Sequence, residues 1–204
     1  MIVVASFPEW IPAGTLAHAR LGALNVHMSL LPRHRGVDPL FWTYWEDDDQ
    51  AGVTIHWMNE RFDAGDVAAQ DAIPLERGRA SREVYLALAS RSAELLAEIL
   101  GEGAENAPRH PQDESRATYE SAADIARARV PFAQWPAERV WHVLRGLGDQ
   151  RSGLVVDATL GKLPHGRATS WHPTGDIDPG RLIFAGSGYE LHCRDGIVAV
   201  ERRG

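Results

Sequence analysis

The chain has 204 residues, with 21 Lys or Arg and 28 Asp or Glu side chains, which gives a formal net charge of −7 at pH 7. Its apolar content of 44% is sufficient for a buried core, and its length permits one large domain or two small ones. No stretch reaches the ~20 apolar residues of a membrane span, and no broad basic face predicts binding to nucleic acid, so we expect a soluble protein without a membrane partner.

The first hundred residues are predicted to alternate short strands and helices. Ile2–Ala5 is a short run with β-branched residues, which is typical of a buried parallel strand. The helix Ser81–Leu100 is the clearest, because Ser81 can cap it and an apolar stripe follows at helical spacing. The stripe consists of Val84, Leu88, Leu95 and Ile99. Further helices are predicted at Gly14–Arg20 and Pro39–Glu46, and further strands at Leu24–His27 and Val53–Met58.

The second half of the chain has a different pattern. Residues 104–117 are polar, contain Pro108 and Pro111, and are predicted to be a linker. A helix at Pro136–Leu144 follows, and then short strands without long helices, which suggest a small barrel. Asp195-Gly196 lies between two of these strands and is a hairpin signal. The strands are predicted at Leu154–Thr159, Leu182–Ala185, Tyr189–Arg194 and Ile197–Arg202.

Two features indicate the compartment. The first residues, Met1–Ser6, lack the basic region and the long apolar run of a signal peptide. Cys193 is the only cysteine, so it cannot form an internal disulfide, which fits a reducing cytosol. We therefore expect a cytoplasmic protein in which Cys193 is a small core residue.

Asn25, His27 and Asp63 are the candidate catalytic residues. If Leu24–His27 is a strand, its period of two places the side chains of Asn25 and His27 on one face and Val26 on the other. Open α/β sheets bind ligands at the carboxyl ends of their strands, which is where these polar groups lie. An amide, an imidazole and a carboxylate are the groups that acyl transfer to an amine requires.

Three blocks of the sequence resemble the folate-dependent formyltransferase family. Asn25–Pro39 begins Asn-Val-His-Met-Ser-Leu-Leu-Pro and continues through Arg35-Gly36 to its final proline. Gly52–Asp66 is similar to the strand and loop that carry the catalytic Asp of the family. Pro111–Tyr119 resembles the segment that joins the catalytic and C-terminal domains of methionyl-tRNA formyltransferases. Three blocks in the same order are a specific signal, and the pattern is closest to the methionyl-tRNA branch.

The resemblance implies an α/β fold. It comprises the C-terminal part of a Rossmann-like formyltransferase domain, with a mostly parallel sheet and helices, followed by a small OB-like β-barrel domain. The implied boundaries are residues 1–103 for the partial catalytic domain, 104–117 for the linker and 118–204 for the OB-like domain. The family has several strand–helix units before the strand read at Ile2–Ala5, so the resemblance implies an N-terminal truncation. A wrongly placed start, a partner chain that supplies these units and a decayed gene are the explanations, and we favour the first.

The resemblance further implies that 10-formyltetrahydrofolate is the formyl donor, that a primary amine is the acceptor, and that no metal takes part. Asn25 would donate an amide N–H to the oxyanion of the tetrahedral intermediate. His27 would move protons or, when protonated, stabilise that oxyanion. Asp63 would orient His27, pair with its charge and help hold the water or amine whose proton leaves.

Contacts to the folate are implied for two segments. The loop that runs from Phe7 to Ile11 would form the pterin pocket, largely through backbone groups, although its sequence departs from the Ala-Tyr-Gly form common in methionyl-tRNA formyltransferases. The other segment, which would border the folate, consists of Ser29, Leu30, Leu31 and Pro32.

Two residue patterns near the signature are open to other interpretations. Arg35 could lie near the acceptor, although an ordinary surface residue is the plainer interpretation. His34 and His56 could be imagined as metal ligands together with His27. No Cys pair or His-x-x-x-His spacing supports such a site, so we expect no metal there.

The acceptor stays open between initiator Met-tRNA and an amino-sugar nucleotide. The third block and the second domain favour methionyl-tRNA formyltransferase over the glycinamide ribonucleotide enzyme, whereas the acidic balance is unfavourable for tRNA. An amino-sugar formyltransferase uses the same Asn, His and Asp and also has a second domain. A formyltetrahydrofolate hydrolase would need only water in place of the amine, and a truncated, non-catalytic remnant is the alternative outside the enzymes.

Overall fold

The computed structural model describes residues 1–7, 9–148, 155–156 and 166–202. The chain divides into two compact units. The first contains Met1–Thr43, Asp48–Leu75 and Val84–Ala122, and the second contains Tyr44–Asp47, Glu76–Glu83 and the residues from Ala123 onward. The segment predicted to be a linker, residues 104–117, lies within the first unit.

The described residues form short strands and helices, and each type is numbered in chain order. The helices are α1 Ala13–Leu16, α2 Pro39–Trp45, α3 Ser81–Gly101, α4 Ala122–Arg127 and α5 Ala137–Leu147. The strands are β1 Ile2–Ala5, β2 Ala23–His27, β3 Arg35–Gly36, β4 Gln50–Trp57, β5 Val67–Pro74, β6 Tyr119–Glu120, β7 Arg129–Val130, β8 Val155–Val156, β9 Gly166–Pro173, β10 Leu182–Ala185, β11 Gly188–His192 and β12 Gly196–Arg202. No helix within the described ranges is both long and apolar enough to cross a membrane.

The main sheet of the first unit has the strand order β1-β2-β4-β5. The parallel strand predicted at Ile2–Ala5 is confirmed as β1, which pairs parallel with β2. The prediction that this strand is buried is wrong, because β1 lies at the edge of the described sheet and its residues are half-buried or exposed. The prediction of a mostly parallel sheet is wrong for the described strands, because β2–β4 and β4–β5 pair antiparallel. The physical reason is visible between β4 and β5, where residues 58–66 make a connection too short for the crossover helix that a parallel pair requires. The sheet is therefore mixed.

Burial in the first unit follows the predicted pattern of apolar residues. The four residues of the stripe on α3 are 0–6% exposed, which confirms the helical interpretation of that segment. Strand β4 is buried on both faces from Ala51 to Trp57, as expected for a central strand. This buried strand leads directly into the loop that carries Asp63.

Residues 110–120, which we call the clasp segment, are bound to the first unit by backbone hydrogen bonds. His110 exchanges two such bonds with Val67, of 2.8 and 3.0 Å. Farther along, the Thr118 N–H donates to the Pro32 carbonyl at 3.2 Å, and the Arg35 N–H donates to the Thr118 carbonyl at 3.1 Å. Strand β6 then pairs parallel with β3. These bonds explain why a polar, proline-containing stretch is ordered here.

The second unit contains an antiparallel sheet with the strand order β10-β11-β12-β9 and a short parallel pair, β7–β8. The predicted hairpin at Asp195-Gly196 is confirmed, because β11 and β12 pair antiparallel across it. Cys193 is fully buried, as predicted, and burial raises the pKa of its thiol to about 12. Of the strand predicted at Leu154–Thr159, only Val155–Val156 lies within the described residues. Closure of these strands into an OB-like barrel stays a prediction.

Candidate active site

The structure brings Asn25, His27 and Asp63 together. Asn25 and His27 lie two residues apart on β2, and both side chains reach the loop between β4 and β5. The Nδ2 atom of Asn25 donates to Oδ1 of Asp63 at 3.2 Å, and Nδ1 of His27 lies 3.6 Å from Oδ2 of Asp63. The alternation expected for β2 therefore holds at these positions, and Val26 between them is buried.

The carboxylate of Asp63 is held by backbone as well as side-chain groups. Its Oδ2 atom accepts from the Gly36 N–H at 2.9 Å, and Gly36 adopts a φ of +101° that favours glycine. Burial alone would raise the pKa of Asp63, but the neighbouring His56 and His27 rings and the Gly36 N–H outweigh it and lower the pKa to about 2. Asp63 is therefore an anion throughout the physiological pH range.

His27 is buried and its tautomer is fixed by its partner. Its Nε2 atom lies 2.7 Å from the His34 carbonyl oxygen, which can only accept a hydrogen bond. The neutral ring therefore carries its proton on Nε2 and directs the unprotonated Nδ1 towards Asp63. Burial lowers the pKa of His27 below its usual value, although the charge of Asp63 opposes this effect. At neutral pH the ring can accept a proton at Nδ1.

His56 also lies in this cluster. In the sequence analysis it was named only as a metal ligand for which the spacing gave no support. It is the cross-strand partner of Asn25 in the β2–β4 register. Its Nδ1 atom donates to the Trp57 carbonyl at 3.0 Å, so the neutral ring can accept from Nδ2 of Asn25 at Nε2, 3.2 Å away. Both N–H groups of the Asn25 amide are thus engaged, one with His56 and the other with Asp63. The sequence did not identify His56, because its contact with Asn25 depends on the register of β2 against β4.

The segment Ser29–Pro32 is tied down by contacts within the first unit. Ser29 is fully buried, and its hydroxyl donates to the Arg33 carbonyl at 2.8 Å. Leu31 is 5% exposed, and its N–H donates to the hydroxyl of Thr54 at 3.2 Å. Leu30 and Pro32 are half-buried. Of the four residues predicted to border the folate, Ser29 and Leu31 therefore have clear packing roles, and Leu30 and Pro32 retain accessible surface.

The predicted pterin loop lies beside the Asp63 loop. Phe7 is 54% exposed and Ile11 is half-buried. Between them, Trp10 packs its ring edge-to-face against Phe62, with ring centroids 4.7 Å apart. Both rings are largely exposed. The loop therefore presents accessible aromatic surface next to the residue that precedes Asp63.

Arg35 does not lie on the surface, and its guanidinium is bonded to other side chains of the protein instead of being available to the formyl acceptor. The side chain is fully buried, which overturns the expectation of a surface residue. Its guanidinium donates to Oε1 of Gln112 at 3.1 and 2.7 Å and to both oxygens of Glu114, at 3.2 and 2.9 Å. It also bonds to the Tyr119 hydroxyl. A buried guanidinium requires such partners, and the clasp segment supplies all of them.

His34, whose carbonyl bonds to His27, is itself held by two carboxylates. Nε2 of His34 lies 2.8 Å from Oδ2 of Asp48, and Nδ1 lies 3.5 Å from Oε1 of Glu120. Burial would lower the pKa of His34, but the hydrogen bonds and charges of these two carboxylates raise it. Asp48 also pairs with Arg33 at 2.8 Å. Among the described residues, no group of three or more His, Cys, Asp or Glu is arranged to hold a metal ion.

Comparison with known proteins identifies the family. Residues 1–100 match the family model described as formyl transferase. Over 201 residues, covering 97% of this chain, the sequence is 34% identical to methionyl-tRNA formyltransferase of Latilactobacillus sakei. The chain belongs to the formyl transferase family. It is also 35% identical over 148 residues, or 71% of its length, to methionyl-tRNA formyltransferase of Geobacillus thermodenitrificans.

The fold of this formyl transferase family member also matches solved structures. The crystal structure of WlaRD, a sugar 3N-formyl transferase in the presence of dTDP and 5-N-formyl-THF, superposes with a TM-score of 0.74 at 16% identity. The match covers 98% of this chain and 71% of WlaRD. The chain spans 62% of the Latilactobacillus relative and 46% of the Geobacillus relative. The similarity therefore establishes a Rossmann-like α/β formyltransferase fold with a mixed sheet, for part of a longer relative's length.

Proposed function

We propose that this protein transfers a formyl group from 10-formyltetrahydrofolate to a primary amine. The observation that supports the proposal most directly is the meeting of Asn25, His27 and Asp63 at the end of β2, in a chain of the formyl transferase family. The three side chains supply a hydrogen-bond donor, a neutral base and a fixed anion within one cluster. These are the groups that transfer to an amine requires.

The proposed reaction assigns a separate task to each side chain. The amine nitrogen forms a bond to the formyl carbon and loses one proton, while the bond to the folate nitrogen breaks and that nitrogen gains a proton. His27 receives the proton of the amine at Nδ1, Asp63 stabilises the imidazolium that results, and this proton then passes to the folate nitrogen. Asn25 donates to the developing oxyanion, a contact worth ~3–4 kcal/mol in other acyl transfers. Because both N–H groups of Asn25 are engaged, one bond, to His56 or Asp63, must be exchanged for the oxyanion.

For the donor, we propose contacts from the two segments predicted in the sequence. Phe7 and Ile11 belong to a loop whose Trp10 ring reaches the Asp63 loop, and Leu30 and Pro32 retain accessible surface. Accessible aromatic and apolar side chains suit a planar heterocycle, and backbone groups of the loop can supply the polar contacts. WlaRD was crystallised in the presence of 5-N-formyl-THF, which is consistent with a folate donor.

For the acceptor, we propose initiator Met-tRNA first and an amino-sugar nucleotide second. The first choice is supported by 34% identity over nearly the whole chain to a methionyl-tRNA formyltransferase. The second is supported by the fold similarity to a sugar 3N-formyl transferase over 98% of the chain. Both acceptors present a primary amine, so the same three residues serve either reaction.

The test is a transfer assay with 10-formyltetrahydrofolate in three arms. One arm contains charged initiator Met-tRNA, one contains a panel of amino-sugar nucleotides, and one contains no acceptor and measures released formate. We expect formyl product in one of the first two arms, which also names the acceptor. In that arm His27→Ala should reduce the rate by ~100-fold or more, because it removes the base.

The matched control is His172→Ala, which removes an exposed imidazole on β9 and should leave the rate unchanged. Formate release alone would replace transfer by hydrolysis as the activity. Absence of turnover in all arms, from a folded chain, would support a non-catalytic protein. A His27→Ala variant with the parental rate would refute the proposed base.

A further inference from the structure

Gln112 uses the full hydrogen-bonding capacity of its amide within the clasp segment. Its Oε1 atom accepts twice from the Arg35 guanidinium. Its Nε2 atom donates to the backbone carbonyl of Asp63 at 2.8 Å and to that of Gly65 at 2.7 Å. An amide has two acceptor lone pairs and two N–H donors, so no capacity is left for a substrate. Its contacts are directed at the loop that carries Asp63.

The Asp63 loop requires such support because its backbone conformation is unfavourable. Asp63 has a φ of +49°, in the left-handed region that residues with a side chain adopt at a cost. The neighbouring Arg61 and Phe62 are exposed, and their contacts are the ion pair of Arg61 with Glu114 and the packing of Phe62 on Trp10. At Gly65 the loop passes so close to β4 that an added Cβ atom would lie 1.7 Å from the Trp57 carbonyl oxygen. A strained conformation persists only where surrounding contacts determine it.

The oxygen of the Gln112 amide is held by a buried cation, the guanidinium of Arg35. Arg35 is fully buried, and its position is fixed by Glu114 and Tyr119 as well as by Gln112. Arg35 also precedes Gly36, whose N–H donates to the Asp63 carboxylate. Gln112 therefore acts on Asp63 in two ways. It bonds directly to the Asp63 backbone carbonyl, and it bonds to Arg35, the residue next to the Gly36 that holds the Asp63 carboxylate.

We propose that Gln112 is a positioning residue that sets the distance between the Asp63 carboxylate and His27. It acts through the Asp63 and Gly65 carbonyls and does not touch substrate. The proposal rests on the proposed function for its effect on rate, but its geometric part is independent of any activity. The matching region of the family model ends at residue 100, so Gln112 lies outside it.

Two variants distinguish the hydrogen bonds that Gln112 donates to the Asp63 loop from those that it accepts from Arg35. Gln112→Met keeps the length of the side chain and removes both donated hydrogen bonds and both accepted ones. Gln112→Glu keeps an oxygen that accepts from Arg35 but places a carboxylate where the two carbonyls need a donor. The matched control is Ser115→Ala, which removes an exposed hydroxyl of the same segment whose hydrogen bond goes to Asp113 and not to the Asp63 loop.

The first readout is the titration of His27 and Asp63 in the full chain by NMR. Asp63, His56 and the His34 ring are the titratable groups whose charges act on His27. In Gln112→Met the carboxylate moves away from the His27 ring and the Gly36 N–H. The pKa of His27 should then fall by ~0.5 or more, and the pKa of Asp63 should rise towards the ~3.9 of a free carboxyl. Ser115→Ala should move neither value.

The second readout is the transfer assay. Both Gln112 variants should lower kcat by ~10–100-fold, the loss expected from a displacement of about 1 Å, and leave KM for the donor nearly unchanged. Unaltered pKa values of His27 and Asp63 in Gln112→Met would overturn the positioning role even if the protein proves inactive. Altered pKa values in a protein that shows no transfer would support the positioning role and reject the proposed function alone.

Discussion

His27 bonds through Nε2 to the backbone carbonyl of His34, at 2.7 Å, and this contact decides which nitrogen is available for chemistry. The carbonyl belongs to a residue with a φ of +59°, whose own ring is paired with Asp48 and Glu120. The orientation of His27 is therefore determined by a neighbouring ion-paired group and not by substrate. Nδ1 stays directed at Asp63 in both protonation states of the ring.

We expect the rate of transfer to remain high below the usual pKa of histidine. His27 acts as a base only when neutral, and burial lowers its pKa below 6.5. Activity should therefore rise through an apparent pKa below 6.5 and be constant at neutral pH. The measurement is kcat/KM between pH 5 and pH 8. An apparent pKa above 6.5 would contradict the assignment of His27 as the base.

Asp63→Asn should reduce the loss of unfolding free energy that occurs as the pH falls. The pKa of Asp63 is about 2 in the folded chain and ~3.9 when unfolded, so its contribution is present above pH ~4 and is lost as the pH falls towards 2. The contribution is on the order of 2 kcal/mol. Urea unfolding at pH 6 and pH 2.5 should show a smaller difference for Asp63→Asn than for the parent chain. Asp176→Asn, at an exposed position, should leave the difference unchanged.

Gly65→Ala should damage both stability and transfer. The added Cβ would meet the Trp57 carbonyl oxygen at 1.7 Å, and that backbone atom belongs to a buried strand that cannot yield cheaply. We expect a loss of ~1–3 kcal/mol in the free energy of unfolding, together with a displaced Asp63. The matched control is Gly101→Ala at the end of α3, where nothing lies within 4 Å. That change should be neutral or stabilise the helix by ~0.5–1 kcal/mol.

The second unit should have its own sensitivity to acid through His142. Its Nδ1 atom accepts from the Gly78 N–H at 2.9 Å, and its ring stacks on Tyr44 with centroids 4.9 Å apart. Burial, assisted by the charge of Arg77, lowers the pKa of His142 to about 4. Protonation of Nδ1 would break the bond to Gly78.

This contribution to stability is complete above pH ~6.5 and is lost as the pH falls towards 4, because the unfolded chain binds the proton more tightly. It amounts to about 3 kcal/mol at most. We expect His142→Phe to flatten the change in unfolding free energy between pH 7 and pH 4. His172→Phe, at an exposed histidine, serves as the control. An equally steep dependence in His142→Phe would show that other groups carry it.

Local patterns in the sequence predicted the parts of the site that depend on neighbours along the chain. The period of two placed Asn25 and His27 together, and the apolar stripe of α3 identified the buried face of that helix. The Asp195-Gly196 pair predicted the hairpin between β11 and β12. Strand β5 was missed, because Val-Ala-Ala-Gln-Asp-Ala-Ile-Pro contains few residues with a high β propensity and its partner β4 supplies the pairing.

Contacts between distant residues could not be predicted in the same way. His56 reaches Asn25 only because β2 and β4 pair in one particular register, which the sequence does not state. Arg35 has the composition of a surface residue, and its burial depends on acceptors 77 and 79 positions later. The polar composition of residues 104–117 indicated a linker, and it did not show that His110 pairs with β5 or that β6 pairs with β3.

The clasp segment gives the site an order of assembly during protein synthesis. Gln112 is made 49 residues after Asp63, the carbonyl it holds. At ~5–20 residues per second, roughly 2–10 s pass between the two on the ribosome. During that interval Arg35 has none of the side-chain partners that it bonds in the folded chain, and its charge is stable only in water. The Asp63 turn can therefore reach its final geometry only after the clasp segment has emerged, and a nascent chain released before residue 112 would keep this turn unformed.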